Sequence, residues 1–487
     1  MSLKQKTISA LLWSFIDDFA KLGITFVSGI ILARLLTPRE YGLLGMTTIF
    51  IALSQSFIDS GFRQALIRKQ NCTQVDYSTV FYFNLFVSII FYLLLFVSAG
   101  AIGQFFEEPK LPGIVRVLGI GLIINAMTVV QHTQLVKDIN FRLQTRISII
   151  SAIVSGTLGI IMAYMGYGVW SLVATTLSGS FITMLLLWLW RKWKPSLMFS
   201  WMSFQEMFAF GSRLLLSGLI DTLYRNIYNL VIGKYFSAAD LGYYTRAVTF
   251  SNFPSQHLTN VMQRVSYPVL TTLQDDRRYL KVAYRKVIQN TMLLAFVFMM
   301  GMAAVAEPMV IALVGEQWRP SIGYLQLLCF VGMFYPLHAI NLNMLKVLGR
   351  SDLFLRLELI KKALAVPTIV IGVIFGIKVM IMGMIVNTLI AYYLNSYWSG
   401  KFIGYSVMHQ IKDILPSFGL AALVSSIVYI VGQAIDSPDL IKLILQVGIG
   451  GVLTIVISEI MRFDNYLFMK GLLFERMSKL YSRKLNV

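Results

Sequence analysis

The chain has 487 residues, of which 57% are hydrophobic and only 13% charged, against about a quarter charged in soluble proteins; its mean hydropathy is +0.70. That balance excludes a soluble globular enzyme and points to an all-α polytopic membrane protein. The net charge of +19 would suit nucleic acid if the basic residues clustered on one domain, but they alternate with the apolar segments, which excludes that partner.

In chain order, apolar windows predict fourteen membrane helices over 8–34, 41–60, 77–103, 112–136, 146–165, 167–190, 208–233, 241–265, 286–313, 321–346, 353–376, 378–399, 413–434 and 439–460. Lys4 and Lys6 precede a first run that continues past Leu35 with no small-residue cleavage pattern, so the first helix is expected to stay. Cys72 and Cys329 are the only cysteines and lie too far apart for a motif, so neither a disulfide framework nor a metal site is expected. With the N-terminus on the cytoplasmic side, 28 of the 42 lysines and arginines fall in the inner segments and 7 in the outer ones, where Glu107 and Glu108 add negative charge. The positive-inside rule then places both termini in the cytoplasm. From Met461 onward Tyr466, Leu467, Leu473, Met477 and Leu480 alternate with Lys470, Arg476, Lys479, Arg483 and Lys484, which predicts a basic amphipathic helix on the anionic inner leaflet.

Seven basic residues belong to neither loop set: Lys21, Arg116, Arg213, Arg225, Arg246, Lys361 and Lys362. Arg116 lies close to an outer boundary, and Lys361 and Lys362 sit near a helix end from which they can snorkel. Lys21, Arg213, Arg225 and Arg246 fall within spans, where a charge at mid-depth costs about 2.5–3.5 kcal/mol. Such charges must look into a bundle or a watery cavity. On the seventh helix Arg213, Ser217, Asp221, Tyr224, Arg225 and Tyr228 share an arc of about 120°. On the first, Ser14, Asp17, Asp18, Lys21, Thr25 and Ser28 share about 100°. Asp17 and Asp18 face a single Lys21, so a carboxylate there is a candidate carrier of H⁺ or Na⁺, with Asp221 its counterpart on the seventh helix. The alternative is an internal ion pair that lets a polar helix insert.

An ungapped internal repeat relates Ile31 to Phe50 (ILARLLTPREYGLLGMTTIF) and Val231 to Phe250 (VIGKYFSAADLGYYTRAVTF), pairing Arg34 with Lys234, Thr37 with Ser237, Glu40 with Asp240 and Gly42 with Gly242. Helices 1 and 7 therefore correspond, and both start on the same side. The expected organisation is a lobe of helices 1–6 over 1–195, a parallel-repeat lobe of helices 7–12 over 196–400, helices 13 and 14 over 401–460, and the tail over 461–487. Two parallel six-helix halves with polar first helices suit a transporter with a central cavity.

The string from Leu32 to Gly42 (LARLLTPREYG), followed by Asp59–Ser60–Gly61 and Ala65–Leu66–Ile67, resembles the opening of bacterial polysaccharide transporters. These are lipid-linked oligosaccharide flippases within the multidrug/oligosaccharidyl-lipid/polysaccharide exporter superfamily. The resemblance implies a V-shaped pair of lobes in the bacterial inner membrane that moves an undecaprenyl-diphosphate-linked oligosaccharide repeat unit, such as an O-antigen, exopolysaccharide or capsule precursor, from the inner to the outer leaflet by alternating access. It implies no catalytic residue and no cofactor beyond H⁺ or Na⁺ coupling, with the lipid-linked oligosaccharide, the bilayer and polysaccharide assembly proteins as partners.

A diphosphate calls for dense positive charge, preferably from the planar fork of arginine. Arg213, Arg225 and Arg246, with Lys21, are the expected contacts, joined by Arg63 and Arg264 at the cytoplasmic ends of helices 2 and 8. Tyr224 and Tyr228 are expected to stack on sugar rings. His132, His257, His338 and His409 show no ligand spacing and read as pore-lining or loop residues. Pro254, Pro336 and Pro367 are expected to bend their helices. Two other functions fit a polytopic chain less well. Export of a cationic drug favours carboxylates over arginines in the cavity, and a membrane glycan polymerase or ligase needs a sizeable outer loop. No glycine-rich nucleotide motif is present, so ATP is not expected to drive the cycle directly.

Overall fold

In a computed structural model the described residues are 3–468, 470 and 471, and among them there is no β-strand. The first half comprises α1 (Leu3–Leu35), α2 (Pro38–Asp59), the short α3 (Phe62–Arg68), α4 (Gln74–Phe106), α5 (Leu111–Ala126), α6 (Val129–Lys137), α7 (Phe141–Tyr164) and α8 (Val169–Trp190). It is followed by α9 (Trp201–Tyr235), α10 (Ala238–Thr272), α11 (Arg277–Ala304), α12 (Ala306–Val314), α13 (Ser321–Gly332), α14 (Tyr335–Val347), α15 (Ser351–Phe375) and α16 (Ile377–Ile403). The last two helices are α17 (Val407–Ala434) and α18 (Asp439–Ile460).

Each of the fourteen expected segments is helical, and three are broken. The fourth divides into α5 and α6 with a bend of 42°, the ninth into α11 and α12 at Val305, and the tenth into α13 and α14. The second pieces of the fourth and tenth helices begin at Val129 and Tyr335, so the break recurs at the same point of the repeat. Pro336 is the second residue of α14, where its missing N–H costs nothing, and it marks a helix start where a bend was expected; Pro254 and Pro367 lie inside the continuous α10 and α15. Among the described residues nine stretches are long and apolar enough to cross a membrane, ten with the bent α5–α6 pair. α1, α9, α10 and α15, of 33, 35, 35 and 25 residues, carry too many polar or charged side chains to join them. Two of them, α1 and α9, begin the two repeats.

The contacts gather residues 1–245 and 246–487 into two compact units. The repeat restarts in sequence after 195, yet α9 packs on α2, α3 and α4 within the first unit. Its backbone comes closest at Gly211, where an added Cβ would lie 2.3 Å from Ser60 O, so only glycine fits. Two sets of loops meet at opposite ends of this unit. Arg39 pairs with Glu108 at 2.9 Å and Lys234 with Glu107 at 3.0 Å, joining loops expected on the outer side. Lys69 pairs with Asp76 at 3.1 Å and Glu206 at 2.9 Å, while Lys137 Nζ donates to Leu66 O and Lys69 O, joining loops expected on the inner side.

In the second unit, α17 and α18 close on α11 and α12 through Leu293, Val305, Leu420, Val424 and Val428. The outward faces are apolar, with Val97, Ile374 and Val452 among many exposed side chains, as a lipid-facing surface requires. The expected amphipathic tail falls from residue 472 onward outside the described residues.

Candidate functional site

The repeated motif first fixes a turn. Thr37 and Ser237 precede α2 and α10, and Glu40 and Asp240 reach back three residues to cap them: Thr37 N–H donates to Glu40 Oε2 at 2.7 Å and Ser237 N–H to Asp240 Oδ2 at 3.3 Å. This is the capping-box exchange, which satisfies backbone donors that a helix start leaves unpaired. The glycines of the motif serve packing. A Cβ at Gly42 would lie 1.6 Å from Ala238 O, and one at Gly242 would lie 1.9 Å from Pro38 O, so the two turns press on each other reciprocally.

A polar cavity of about 310 Å³ lies inside the first unit between α1, α5, α6, α7 and α8. Lys21, Asn125, His132 and Gln144 line it together with seven hydroxyl side chains, among them Ser148, Ser151, Ser155, Thr176, Ser180 and Thr183. On α7 the serines recur at steps of three and four, and on α8 Thr176, Ser180 and Thr183 at four and three, so each set occupies one helical face. Thr176 Oγ1 donates to Leu172 O at 3.0 Å, which satisfies its proton and leaves lone pairs to accept, while Thr183 Oγ1 lies 2.8 Å from Gly179 O and 3.0 Å from Ser151 Oγ across the cavity wall. That hydroxyl periodicity was the sequence signal for the cavity, hidden among apolar neighbours and unremarked beside the more conspicuous charges of α1 and α9.

The expected site residues are distributed as follows. Lys21 is exposed and lines the cavity. Asp17, 8% exposed, accepts from Gln144 Nε2 at 3.5 Å and so lies one side chain away from it. The side chains of Asp18 and Arg213 lie outside the described residues; their backbones belong to α1 and α9. On α9, Asp221 and Arg225 are exposed, Tyr224 is half-buried and Tyr228 is buried. Lys21 and Asp221 occupy the same register of the 200-residue repeat with opposite charge. Arg63, half-buried, pairs with Asp59 at 3.7 Å. In the second unit Arg246 is 6% exposed, its guanidinium 5.0 Å from the Trp318 ring centre, and Arg264 is exposed on α10. Among the described residues no three His, Cys, Asp or Glu side chains gather as a metal group.

Two of the histidines prove to be equivalent. His132 is the fourth residue of α6 and His338 the fourth of α14, each following the break in its repeat's fourth helix. His338 is half-buried among bonded partners: its Nδ1 lies 3.3 Å from Asn395 Nδ2, and beside it Tyr284 OH bonds Asn341 and lies 3.1 Å from Ser399 Oγ, while Asn341 Nδ2 donates to Ser396 Oγ at 3.3 Å. His132 instead lines the open cavity. His409 takes a different role, with its Nδ1 2.6 Å from the Ser406 hydroxyl that caps α17.

Residues 31–323 match the family described as polysaccharide biosynthesis protein. The chain is 26% identical over 410 residues to the lipopolysaccharide biosynthesis protein WzxC of Escherichia coli (strain K12), covering 81% of this chain and 82% of that one. It is also 26% identical over 387 residues to the succinoglycan biosynthesis transport protein ExoT of Rhizobium meliloti (strain 1021), covering 78% of each. Among solved structures, the lipid II flippase MurJ in an inward closed conformation superposes with a TM-score of 0.75 over 93% of this chain and 99% of that one, at 13% identity, a likeness of fold alone.

Proposed function

Since the chain belongs to the polysaccharide biosynthesis protein family, we propose that it is a flippase for an undecaprenyl-diphosphate-linked oligosaccharide repeat unit, moving it from the inner to the outer leaflet of a bacterial inner membrane by alternating access. The observation that carries this reading is the exposure of Lys21 near the middle of α1, and of Asp221 and Arg225 near the middle of α9, in helices of membrane length. A charge at that depth is tolerated only where it meets water or a polar cargo, and placing charges on the first helix of each repeat lines a path for a charged headgroup. The chain acts as a secondary transporter without covalent chemistry of its own. Its arginines take the diphosphate, Lys21 on the first helix faces the glycan, Tyr224 and Tyr228 take the sugars, and the apolar carrier stays in lipid. Proton or Na⁺ coupling runs through Asp17, Asp18 or Asp221.

Neither competing function draws comparable support. A cation exporter leaves the excess of lysine and arginine over carboxylate on α1 and α9, seven against four, without a purpose, and a polymerase or ligase lacks a large loop among the described residues on the outer side.

The test is a leaflet-accessibility assay in cells that synthesise the lipid-linked glycan and lack their own flippase. Expression of this chain should move the glycan to the outer leaflet, and collapsing the coupling gradient should slow that movement; Asp17→Asn should remove the gradient dependence. A glycan that stays on the inner leaflet despite normal insertion of the protein would overturn the reading.

A further inference from the structure

Inside the first unit, the cavity behind Lys21 has the composition of a ligand site, and one that differs from a cation site. Among the described residues its one formal charge is the Lys21 ammonium and no carboxylate lines it, Asp17 standing one side chain behind against Gln144. A metal ion or Na⁺ would meet a positive charge there and only neutral oxygens, whereas an oxyanion would find an exposed ammonium surrounded by hydroxyl and amide groups. Two further polar atoms lack a hydrogen-bond partner among the described residues, His132 Nδ1 and Gln144 Oε1, both buried and both on lining side chains. The Gln144 amide is oriented by its N–H contact with Asp17, which leaves Oε1 as an acceptor in need of a donor. A ligand for this cavity therefore combines an oxyanion for Lys21 with hydroxyl donors for Gln144 and for the acceptor lone pairs of the serines and threonines. The volume, near the lower end of ligand pockets, suits one ring-sized group.

The second repeat sharpens the contrast. There the equivalent histidine, His338, sits in a network in which Tyr284, Asn341, Ser396 and Ser399 bond one another. The second repeat bonds most of these polar groups to one another, with Asn395 Oδ1 left over among the described residues, and the first presents its own to a cavity.

We propose that this cavity is a binding site for an acidic sugar residue, a pyranose ring bearing a carboxylate, with Lys21 holding the carboxylate and Gln144, Ser148, Thr176, Ser180 and Thr183 holding the ring hydroxyls. The proposal rests on the flippase reading for its origin, since it assigns the first unit a subsite for the cargo's glycan. The carrier's diphosphate is the other source of an oxyanion, and it brings no ring hydroxyls.

The test is binding of glucuronate, glucose and pyrophosphate to the purified full-length protein in nanodiscs, read by saturation-transfer NMR in the millimolar range. Glucuronate should bind and glucose should bind far more weakly. Lys21→Gln should weaken glucuronate by about tenfold or more, while Lys21→Arg keeps most of the affinity. Should Lys21→Gln fail to reach the wild-type thermal unfolding temperature, Thr183→Val and His132→Gln supply the same readout, each with a several-fold loss. Equal binding of glucose and glucuronate, displacement of glucuronate by lower concentrations of pyrophosphate, or unchanged affinity in the well-folded variants would overturn the proposal. The leaflet assay on the same protein separates the two claims: flipping without glucuronate binding removes this site alone, and binding without flipping removes the flippase reading alone.

Discussion

At the scale of single residues, Arg213 carries the most specific expectation. It lies two residues beyond Gly211, where the α9 backbone is pressed against Ser60, twelve residues past the start of α9 at Trp201. Losing one desolvated, charge-assisted contact costs about 1.5–3 kcal/mol, roughly a tenfold to hundredfold loss in affinity. Arg213→Ala should therefore leave lipid-linked glycan on the inner leaflet at matched expression, and Arg213→Lys should recover part of the activity, because a point charge replaces a fork. Wild-type flipping by Arg213→Ala would pass the role to Arg225. The charged residues of α1 and α9 were legible because charge inside an apolar run is costly and therefore conspicuous. The exposure of Arg225 and the burial of Arg246 against Trp318 were not, since both lie in helices with the same apolar surroundings and only the tertiary packing distinguishes them.

At the scale of elements, the meeting of the two repeated turns makes a prediction independent of transport. Gly42 and Gly242 each occupy a point where a methyl group would collide with the opposite turn's carbonyl, whereas Gly100 on α4 has nothing within 4 Å. Overpacking a tight contact costs about 1–3 kcal/mol, while Gly to Ala in an open helix position gains about 0.5–1 kcal/mol. Gly42→Ala and Gly242→Ala should thus lower the thermal unfolding temperature in detergent, and Gly100→Ala should hold or raise it. Identical shifts for all three would mean that the turns do not touch in solution. The motif that carried the family resemblance is explained by the same geometry: Thr37 and Glu40 cap α2, Gly42 permits the contact, and Pro38 sets the first turn. Helix positions were readable from hydropathy throughout. The breaks were less so: Met127–Thr128 interrupts its helix without a strong breaker at the junction, whereas Pro336, two residues past Phe334, and Pro308, three past Val305, each announce one.

At the scale of the whole molecule, fourteen expected spans would, if all of them cross, put both ends of the chain on one side, and the charge asymmetry favours the cytoplasmic one. The loops joined by Arg39–Glu108 and Lys234–Glu107 carry paired, nearly neutral charge, so they exert little pull toward the cytoplasm. The loops joined by Lys69 and Lys137 belong to the set that holds 28 of the 42 basic residues, and retaining that set on the cytoplasmic side is what the positive-inside rule demands. Reporter fusions that are active only outside the cytoplasm should be silent at Lys4 and at Val487 and active when inserted between Glu108 and Lys110. A reporter active at Val487 but silent at Lys4 would mean that one of the fourteen segments does not cross. The first candidates would be α1 and α9, because their charge makes unaided insertion costly and they depend on α2 and α7 to shield it.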